Sequence, residues 1–422
     1  MSKDELTAVL GGWEGYTLGT VGRVEVGPEG GRREEVHLEL LPVRDQARVC
    51  SGCGKVCCSI HDTAERWVDD LPALGADTRL LVHRVRVACP DCGPKLERLG
   101  WLEPYARVTV RLAQNVARLC RVLPIKHVAD YFRLDWKTVK AIDKRSGNGR
   151  LPRDAYLNRT LGPVELDGVT KLAMDEFAIR KGHRYATVVI DPTCKRVLWV
   201  GRGRSREEVR PFFELLGPER CKQVVAVAMD MNAAYDLEVR QHCPNAEVVY
   251  DLFHVVAKYG REVVDRVRVD EANAVRHDKP ARKVIKGSRW LLLRNADNIT
   301  KETDRVRLAE LLKANRKLAA VYLLKDDLKE LWAYRHTGYA QRFWEQWYAR
   351  AIRSRIEPLK AFARKLKGYL PGILSHCRFP LHTSVLEGIN NKIKVIKRMA
   401  YGFRDDAYFF LKIRQAFPGV GR

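Results

Sequence analysis

The stretch QVVAVAMDMNAAYDLEVRQHCPNAEVVYD, residues 223–251, decides the fold class. QVVAVAMD is an apolar run that reads as a buried strand, and it ends on Asp230. MNAAYDLEVRQHCP reads as a helix, and AEVVYD as a further strand ending on Asp251. Just upstream, KLAMDE, YATVVID and RVLWVG are three successive strand-like runs, and SREEVRPFFELLG is an amphipathic helix with a glycine stop. Three strands, helix, strand, helix, strand over residues 163–251 suits an α/β domain.

On the C-terminal side, residues 253–370 are helical in pattern and heavily charged, without strands, and LAELLKANRKLAAVYLLKDDLKELWAY (308–334) suits a helical hairpin. TSVLEGINNKIKVIKRMAYGF (383–403) returns to a strong amphipathic helix with an apolar stripe of Val385, Ile389, Ile393 and Ile396. On another face of it, Glu387, Asn391, Lys394 and Arg398 lie at spacings of four, three and four. On the N-terminal side, SGNGRLP (146–152) is a linker by composition. Before it, Val116, Leu119 and Leu123, then Val128, Ala129 and Phe132, recur at helical spacing. IKHVADYFRLDWKTVKAIDKR (125–145) has the outline of a helix-turn-helix, with a second helix starting near Asp135 or Trp136 that exposes Lys137, Lys140 and Lys144. Residues 105–145 hold ten Lys or Arg against three Asp, so such a helix fits the major groove of double-stranded DNA with flanking cations on phosphates. Residues 1–48 read as a small strand-rich leader, in which HLELLPV (37–43) alternates partly after a Gly-rich turn at 27–31.

The net charge of +24, from 76 basic and 52 acidic residues, points to a polyanionic partner, most simply nucleic acid. The longest apolar runs are too short to span a membrane, and MSKDELTAVLGG lacks the apolar block of a secretory signal. The expected location is therefore the cytoplasm, in a bacterial cell at the nucleoid, with no membrane partner.

Six of the eleven cysteines lie between Cys50 and Cys92. In a reducing compartment such clustering favours metal over disulfides. Cys50-x-x-Cys53 and Cys89-x-x-Cys92 form two knuckles, and four thiolates match a closed tetrahedral structural Zn²⁺ site. Gly52, Gly54 and Gly93 suit the tight turns, and the 35 intervening residues imply an inserted strand or hairpin, of which RLLVHRVRVAC (79–89) has the alternation. Cys57, Cys58 and His61 remain spare potential ligands.

Asp175 closes the first strand-like run and Asp230 the VVAVAM run. Acids at neighbouring strand ends are held rigidly yet exposed, and two of them can share a hard cation such as Mg²⁺. Two such ions about 3.5–4 Å apart can activate a nucleophile and stabilise the leaving oxygen of a phosphodiester. Glu387 supplies a third carboxylate from the late helix, surrounded by eight Lys or Arg against three acids over residues 378–414. Glu176, Asp191 and Asp251 compete for these roles.

The chain resembles the transposases of bacterial insertion sequences, in particular the ISL-three family. The resemblance runs over nearly all of it, through Cys50 to Cys53 with Cys89 to Cys92, MDEFAIRKGHRYATVVID (174–191), VAMDMNAAY (227–235), VVYDLFHVV (248–256) and LEGINNKIKVIKRMAYGFRD (386–405). It implies a multidomain protein: a zinc-ribbon-like module and helix-turn-helix, then an α/β ribonuclease H-like core interrupted by an all-helical insertion. The corresponding boundaries are 1–48 for the leader, 49–100 for the zinc module, 101–150 for the helix-turn-helix, 163–265 for the first part of the core, 266–375 for the insertion, and 376–422 for the core helix carrying Glu387. It further implies an acid triad of Asp175, Asp230 and Glu387, with Asp251 in a supporting motif; Mg²⁺ or Mn²⁺ is the expected metal. The residues themselves add His254 and Asn391 as supporting groups and Lys394, Lys397, Arg398 and Arg404 as a basic track on DNA. Phe177 stands where many relatives have a small hydroxyl residue. The implied partners are terminal inverted repeats and target DNA, with at least a homodimer on the DNA. A non-catalytic DNA-binding regulator descended from such an enzyme, or a ribonuclease H-like nuclease, would share part of this pattern, but the first needs no acid triad and the second no two-part DNA-reading region.

Overall fold

A computed structural model describes residues 3–27, 33–44, 46–144, 161–180, 182, 184–295, 298–381 and 384–420. The linker expected at 146–152 and most of the turn at 27–31 lie outside them. By contacts the chain divides into a first unit, residues 1–163 with 395–416, and a second, residues 164–394 with 417–422. The division falls inside the helix Ser384–Met399.

The first unit is built on one sheet. Its strands are β1 (Tyr16–Val26), β2 (Arg33–Pro42), β5 (Ile60–Ala73), β6 (Ala76–Cys89) and β7 (Gly93–Leu96), in the order β1-β2-β6-β5 with β7 also on β6. A separate pair, β3 (Arg48–Val49) and β4 (Val56–Cys57), leads into it. β2 and β6 pair in parallel, so the leader 1–48 and the cysteine-bearing segment share one sheet and one core of Trp13, Leu38, Leu40, Val68, Leu80 and Val82. The alternation is realised on β6 from Val85 onward, with Val85, Val87 and Cys89 buried and Arg86 exposed, whereas Arg84 is buried too. The insertion between the two knuckles is the β5–β6 hairpin.

Three helices follow: Val110–Leu119, Ile125–Phe132 and Trp136–Lys144. The turn of the helix-turn-helix starts at Arg133, which takes a left-handed φ of 53° and ends the second of these helices. Their small core is Leu112, Val116, Val128, Ala129 and Val139. The late helix Asp406–Ala416 joins this unit through charge as well as packing. Asp143, buried on the third helix, accepts from Lys412 Nζ at 3.0 Å and from the Tyr408 hydroxyl, and Lys412 also donates to the Cys120 carbonyl at 2.5 Å.

The second unit carries the expected α/β pattern. Its sheet has the order β10-β9-β8-β11-β12, with β8 (Lys171–Arg180), β9 (Arg184–Asp191), β10 (Arg196–Arg202), β11 (Ala226–Met229) and β12 (Glu247–Tyr250). β8, β9 and β10 are antiparallel neighbours, whereas β11 lies parallel to β8 and β12 parallel to β11. The helix Ala233–His242 makes the β11–β12 crossover that a parallel pair requires. The Arg206–Leu216 helix, closed by a capping box between Ser205 and Glu208, packs Phe212 and Phe213 into the same core.

A long all-helical segment separates β12 from the helix Ser384–Met399. Glu302–Ala314 and Arg316–Glu330 are the two successive helices expected from the leucine-rich stretch. Trp347 sits at the centre of this body, donating Nε1 to the Leu324 carbonyl at 2.8 Å, while the Tyr259 hydroxyl donates to Val321 at 2.9 Å. The segment returns to the sheet where Gly372 meets β12: a Cβ there would lie 2.5 Å from the Tyr250 ring and 3.1 Å from the Val248 carbonyl. Only glycine lets the short helix Leu370–Leu374 cover that edge strand so closely.

Removing one partner of a buried ion pair leaves the other charge uncompensated, at a cost of about 3–5 kcal/mol. Lys412→Met therefore destabilises the first unit by that order, because Asp143 is fully buried. Urea unfolding followed by tryptophan fluorescence measures it; unchanged stability would mean the pair is dispensable.

Candidate active site

Three acids of the second unit stand level with one another because of strand register. β8 and β11 pair Lys171 with Ala226, Leu172 with Val227 and Ala173 with Ala228. Continued by two residues, that register sets Asp230 beside Asp175. β11 and β12 pair Met229 with Tyr250, so one further step sets Asp251 beside Asp230. Neighbouring strands lie about 4.8 Å apart, so three carboxylates occupy adjacent rungs of one sheet. One expectation is corrected here: Asp175 does not end its strand. β8 runs on to Arg180 because its antiparallel partner β9 extends beyond the point where β11 stops. Asp230 and Asp251 do follow the last residues of their strands.

These acids open onto a cleft of about 440 Å³, which Glu387 also lines from the helix Ser384–Met399. His254, Asn391 and Lys394 line it as well, so every residue expected to act with the three acids from within this unit is there. Of the competing acids, Glu176 lines the cleft and pairs with Arg204 at 2.7 Å, whereas Asp191 caps the turn after β9 by accepting from the Thr193 N–H at 2.8 Å. Phe177 is buried away from solvent.

Two lining residues escape a reading of the sequence. Asn390 donates Nδ2 to Asp175 Oδ2 at 2.6 Å, while the Glu176 N–H donates to Asp175 Oδ1 at 2.8 Å. Its three-residue spacing from Glu387 is the signal that would have found it. Arg261 reaches the cleft from a π-helical turn, Gly260–Asp265, inserted between the helices Leu252–Tyr259 and Arg266–Ala274. Asp251 caps the first of these helices by accepting from the Phe253 N–H at 2.9 Å, and lies 3.7 Å from His254 Nε2.

The electrostatics of the cleft favour a cation. Burial raises the Asp175 carboxyl above its ordinary value, against the opposing charge of His254. Burial pushes Asp230 up to about 6, and the negative charges of Glu176 and Asp175 add to the rise. Asp230 Oδ1 and Asn390 Oδ1 are buried oxygens without a hydrogen-bond partner. An all-oxygen donor set with orphaned acceptors and crowded negative charge suits a hard divalent ion.

In the first unit, the sulfurs of Cys50, Cys53, Cys89 and Cys92 all lie within 4.8 Å of one another. Ligands of a tetrahedral Zn²⁺ with bonds of about 2.3 Å sit about 3.8 Å apart, so the four thiols fit the ion closely. The Gly52 N–H donates to Cys50 Sγ at 3.3 Å, and a Cβ on Gly52 would stand 3.0 Å from Cys92 Sγ. Gly54 and Gly93 have φ of +80° and +67°, which the knuckle turns require. Cys57, Cys58 and His61 lie outside this cluster, and His61 pairs with Asp62 at 3.1 Å.

The cations expected on the helix-turn-helix divide. Lys137 is exposed on the second helix of the motif. Lys140 and Lys144, expected to be exposed too, are half-buried: Lys144 pairs with Asp405, and Lys140 lies 3.4 Å from the same carboxylate. The cause is the late helix Asp406–Ala416, which covers that side through the Asp143 network. Lys397 is half-buried and Arg398 exposed in the last turn of Ser384–Met399, and Arg404 is exposed just before Asp405.

Two measurements follow from these geometries. Elemental analysis of purified protein is expected to find one thiophilic metal ion per chain, which Cys53→Ser or Cys92→Ser removes with a fall in melting temperature; metal-free wild-type protein of full stability would contradict this. At Asp230, the native carboxyl titrates near 6 and the unfolded one near its ordinary 3.8. Between those values the native state holds more protons, so this group's contribution to stability falls as pH rises. Asp230→Asn therefore stabilises the protein in chelator, and by more at pH 7 than at pH 5. Equal melting shifts at both pH values would contradict the raised value.

Comparison with known proteins agrees with both units. A family model described as a transposase matches residues 172–413, and one described as the helix-turn-helix domain of transposase family ISL3 matches residues 97–147. Over 419 residues the chain is 52% identical to the transposase for insertion sequence element IS1001 of Bordetella parapertussis, covering 99% of each protein. It is 29% identical over 344 residues to the transposase for insertion sequence element IS1557 of Mycobacterium tuberculosis, covering 76% of this chain and 74% of that one. A helix-turn-helix domain and a transposase domain are thus both matched, and the chain belongs to the ISL3 family of DDE transposases.

Proposed function

We propose that Asp175, Asp230 and Glu387 are the catalytic triad of this transposase and that Asp251 assists them. The observation that carries the reading is convergence: register and one helix bring these four carboxylates to a single cleft in which Asp230 keeps a buried oxygen without a partner. The sheet order β10-β9-β8-β11-β12, with three antiparallel strands followed by two parallel ones, supports a ribonuclease H-like core. The helical segment between β12 and Ser384–Met399 is then an insertion into that core.

Asp175, Asp230 and Glu387 would hold Mg²⁺ or Mn²⁺, which supplies charge neutralisation at the scissile phosphate and a more acidic attacking water or 3′-hydroxyl. Asn390 fixes the Asp175 carboxylate by its 2.6 Å hydrogen bond, so that carboxylate needs no reorganisation when DNA arrives. Arg261 and Lys394, lining the same cleft, attract and orient the phosphodiester, and His254 offsets part of the acid charge. The reaction is hydrolysis at the element's ends followed by transesterification into target DNA.

The four-cysteine module holds a structural Zn²⁺ and, with the helix-turn-helix, recognises the terminal inverted repeats. Lys137 contacts DNA directly. Lys140 and Lys144 instead fix the recognition helix through Asp405, while Lys397, Arg398 and Arg404 meet phosphate near the C-terminus. Joining requires two ends held together, so the working form on DNA is at least a homodimer.

A strand-transfer assay with terminal-repeat DNA and Mg²⁺ tests the triad. Asp175→Asn, Asp230→Asn and Glu387→Gln each lower joining about a thousandfold, several kcal/mol of lost transition-state stabilisation, while binding to the ends persists. Asp251→Asn lowers it less. A triad variant that joins at the wild-type rate would remove that residue from the site.

A further inference from the structure

The helical segment carries a second concentration of positive charge that the cleft and the helix-turn-helix do not use. Residues 276–294, RHDKPARKVIKGSRWLLLR, hold seven Lys or Arg against one acid, Asp278. That acid is occupied as the N-cap of the helix Lys279–Gly287, accepting from the Ala281 N–H at 3.0 Å. Two of the cations are committed nearby: Arg289 lies 3.4 Å from Asp265, and Arg294 lies 3.8 Å from Asp304. Lys279, Lys283 and Lys286 are exposed and have no ion-pair partner among the described residues.

Their spacing puts these three lysines on one stripe, because i, i+4 and i+7 share a helix face. Trp290, four residues further, continues the stripe at the start of the next helix, Arg289–Leu293, with 66% of its surface exposed and the Arg289 guanidinium 5.3 Å from its ring. The indole face is thus open to a partner at the end of the lysine stripe, where an aromatic ring can pack on an apolar edge.

The stripe is also firmly mounted. Ile285 on its opposite side is buried, and the helix packs on Arg266–Ala274. Arg268, itself nearly buried, donates to the Lys286 carbonyl at 3.0 Å and to Asp265 at 2.7 Å. Rigid mounting matters for recognition, because side chains already ordered lose less freedom on binding.

From Lys279 to Lys286 the helix rises about 10 Å. That equals the axial advance of about three phosphates on one strand of a duplex. We propose that the stripe Lys279, Lys283, Lys286 and Trp290 is a second DNA-binding surface, which takes the phosphate backbone of duplex DNA without reading its sequence. Trp290 packs against the sugar–phosphate edge at the end of the stripe. The proposal rests on the transposase reading for its partner but not on the triad.

The test uses the full chain and two duplexes of equal length, one carrying the terminal repeat and one unrelated, with affinity measured across a salt series. The Lys279→Ala, Lys283→Ala, Lys286→Ala triple variant lowers the slope of log affinity against log salt by about 2–3 on both duplexes, with its melting temperature kept. Trp290→Ala weakens binding to both and leaves the slope unchanged, because it carries no charge. Unchanged slopes for the triple variant overturn the proposal. So does a loss of self-association in sedimentation with DNA binding intact, which would assign the face to a second copy of the chain. Neither result touches the triad, which the joining activity of its variants tests separately, while joining by the wild-type protein tests the transposase reading itself.

Discussion

Everything at the cleft depends on like charges being held side by side. Parallel pairing of β11 with both β8 and β12 lines up Asp175, Asp230 and Asp251 side by side, and burial denies Asp175 and Asp230 the water that would otherwise screen their repulsion. The sheet supplies the force that keeps them there. Its hydrogen bonds and the apolar residues Met174, Val227 and Met229 fix the backbone to which the acids are attached. The repulsion is thus held in place by a rigid scaffold, and a bound cation would relieve it.

The same logic explains why the helical segment returns to the sheet so tightly. The β12 edge must be covered for Asp251 to sit in a defined place, and Gly372 lets a helix approach the Tyr250 ring and the Val248 carbonyl. At the other end of that segment, the π turn at Gly260–Asp265 shifts the helix phase and puts Arg261 among the acids. Such turns are rare and concentrate where a side chain must be re-aimed.

The first unit joins two sequence-distant pieces by another buried charge. Asp143 on the third helix is matched by Lys412 and Tyr408 from the C-terminal helix, and Asp405 just before that helix gathers Lys140 and Lys144. The C-terminal residues therefore complete the DNA-reading module. This is why cations that look free on a helical wheel are half-buried in the fold.

Much of the molecule is legible in the chain of residues alone. The strand and helix order of residues 163–251, the helix-turn-helix outline and the four-thiol spacing are local patterns, written in periodicity and short-range spacing. The motifs around Asp175, Asp230 and Glu387 single these acids out, and the fold brings them to one cleft. Relations between segments far apart in the chain are not legible in this way. The merging of residues 1–48 with the cysteine segment into one sheet, the mid-strand position of Asp175, the Asn390 bond to Asp175 and the capture of Lys140 and Lys144 by Asp405 all arise from register and packing between distant elements. Local propensity determines which residues form an element and which face is apolar; only the tertiary contacts determine what that face meets.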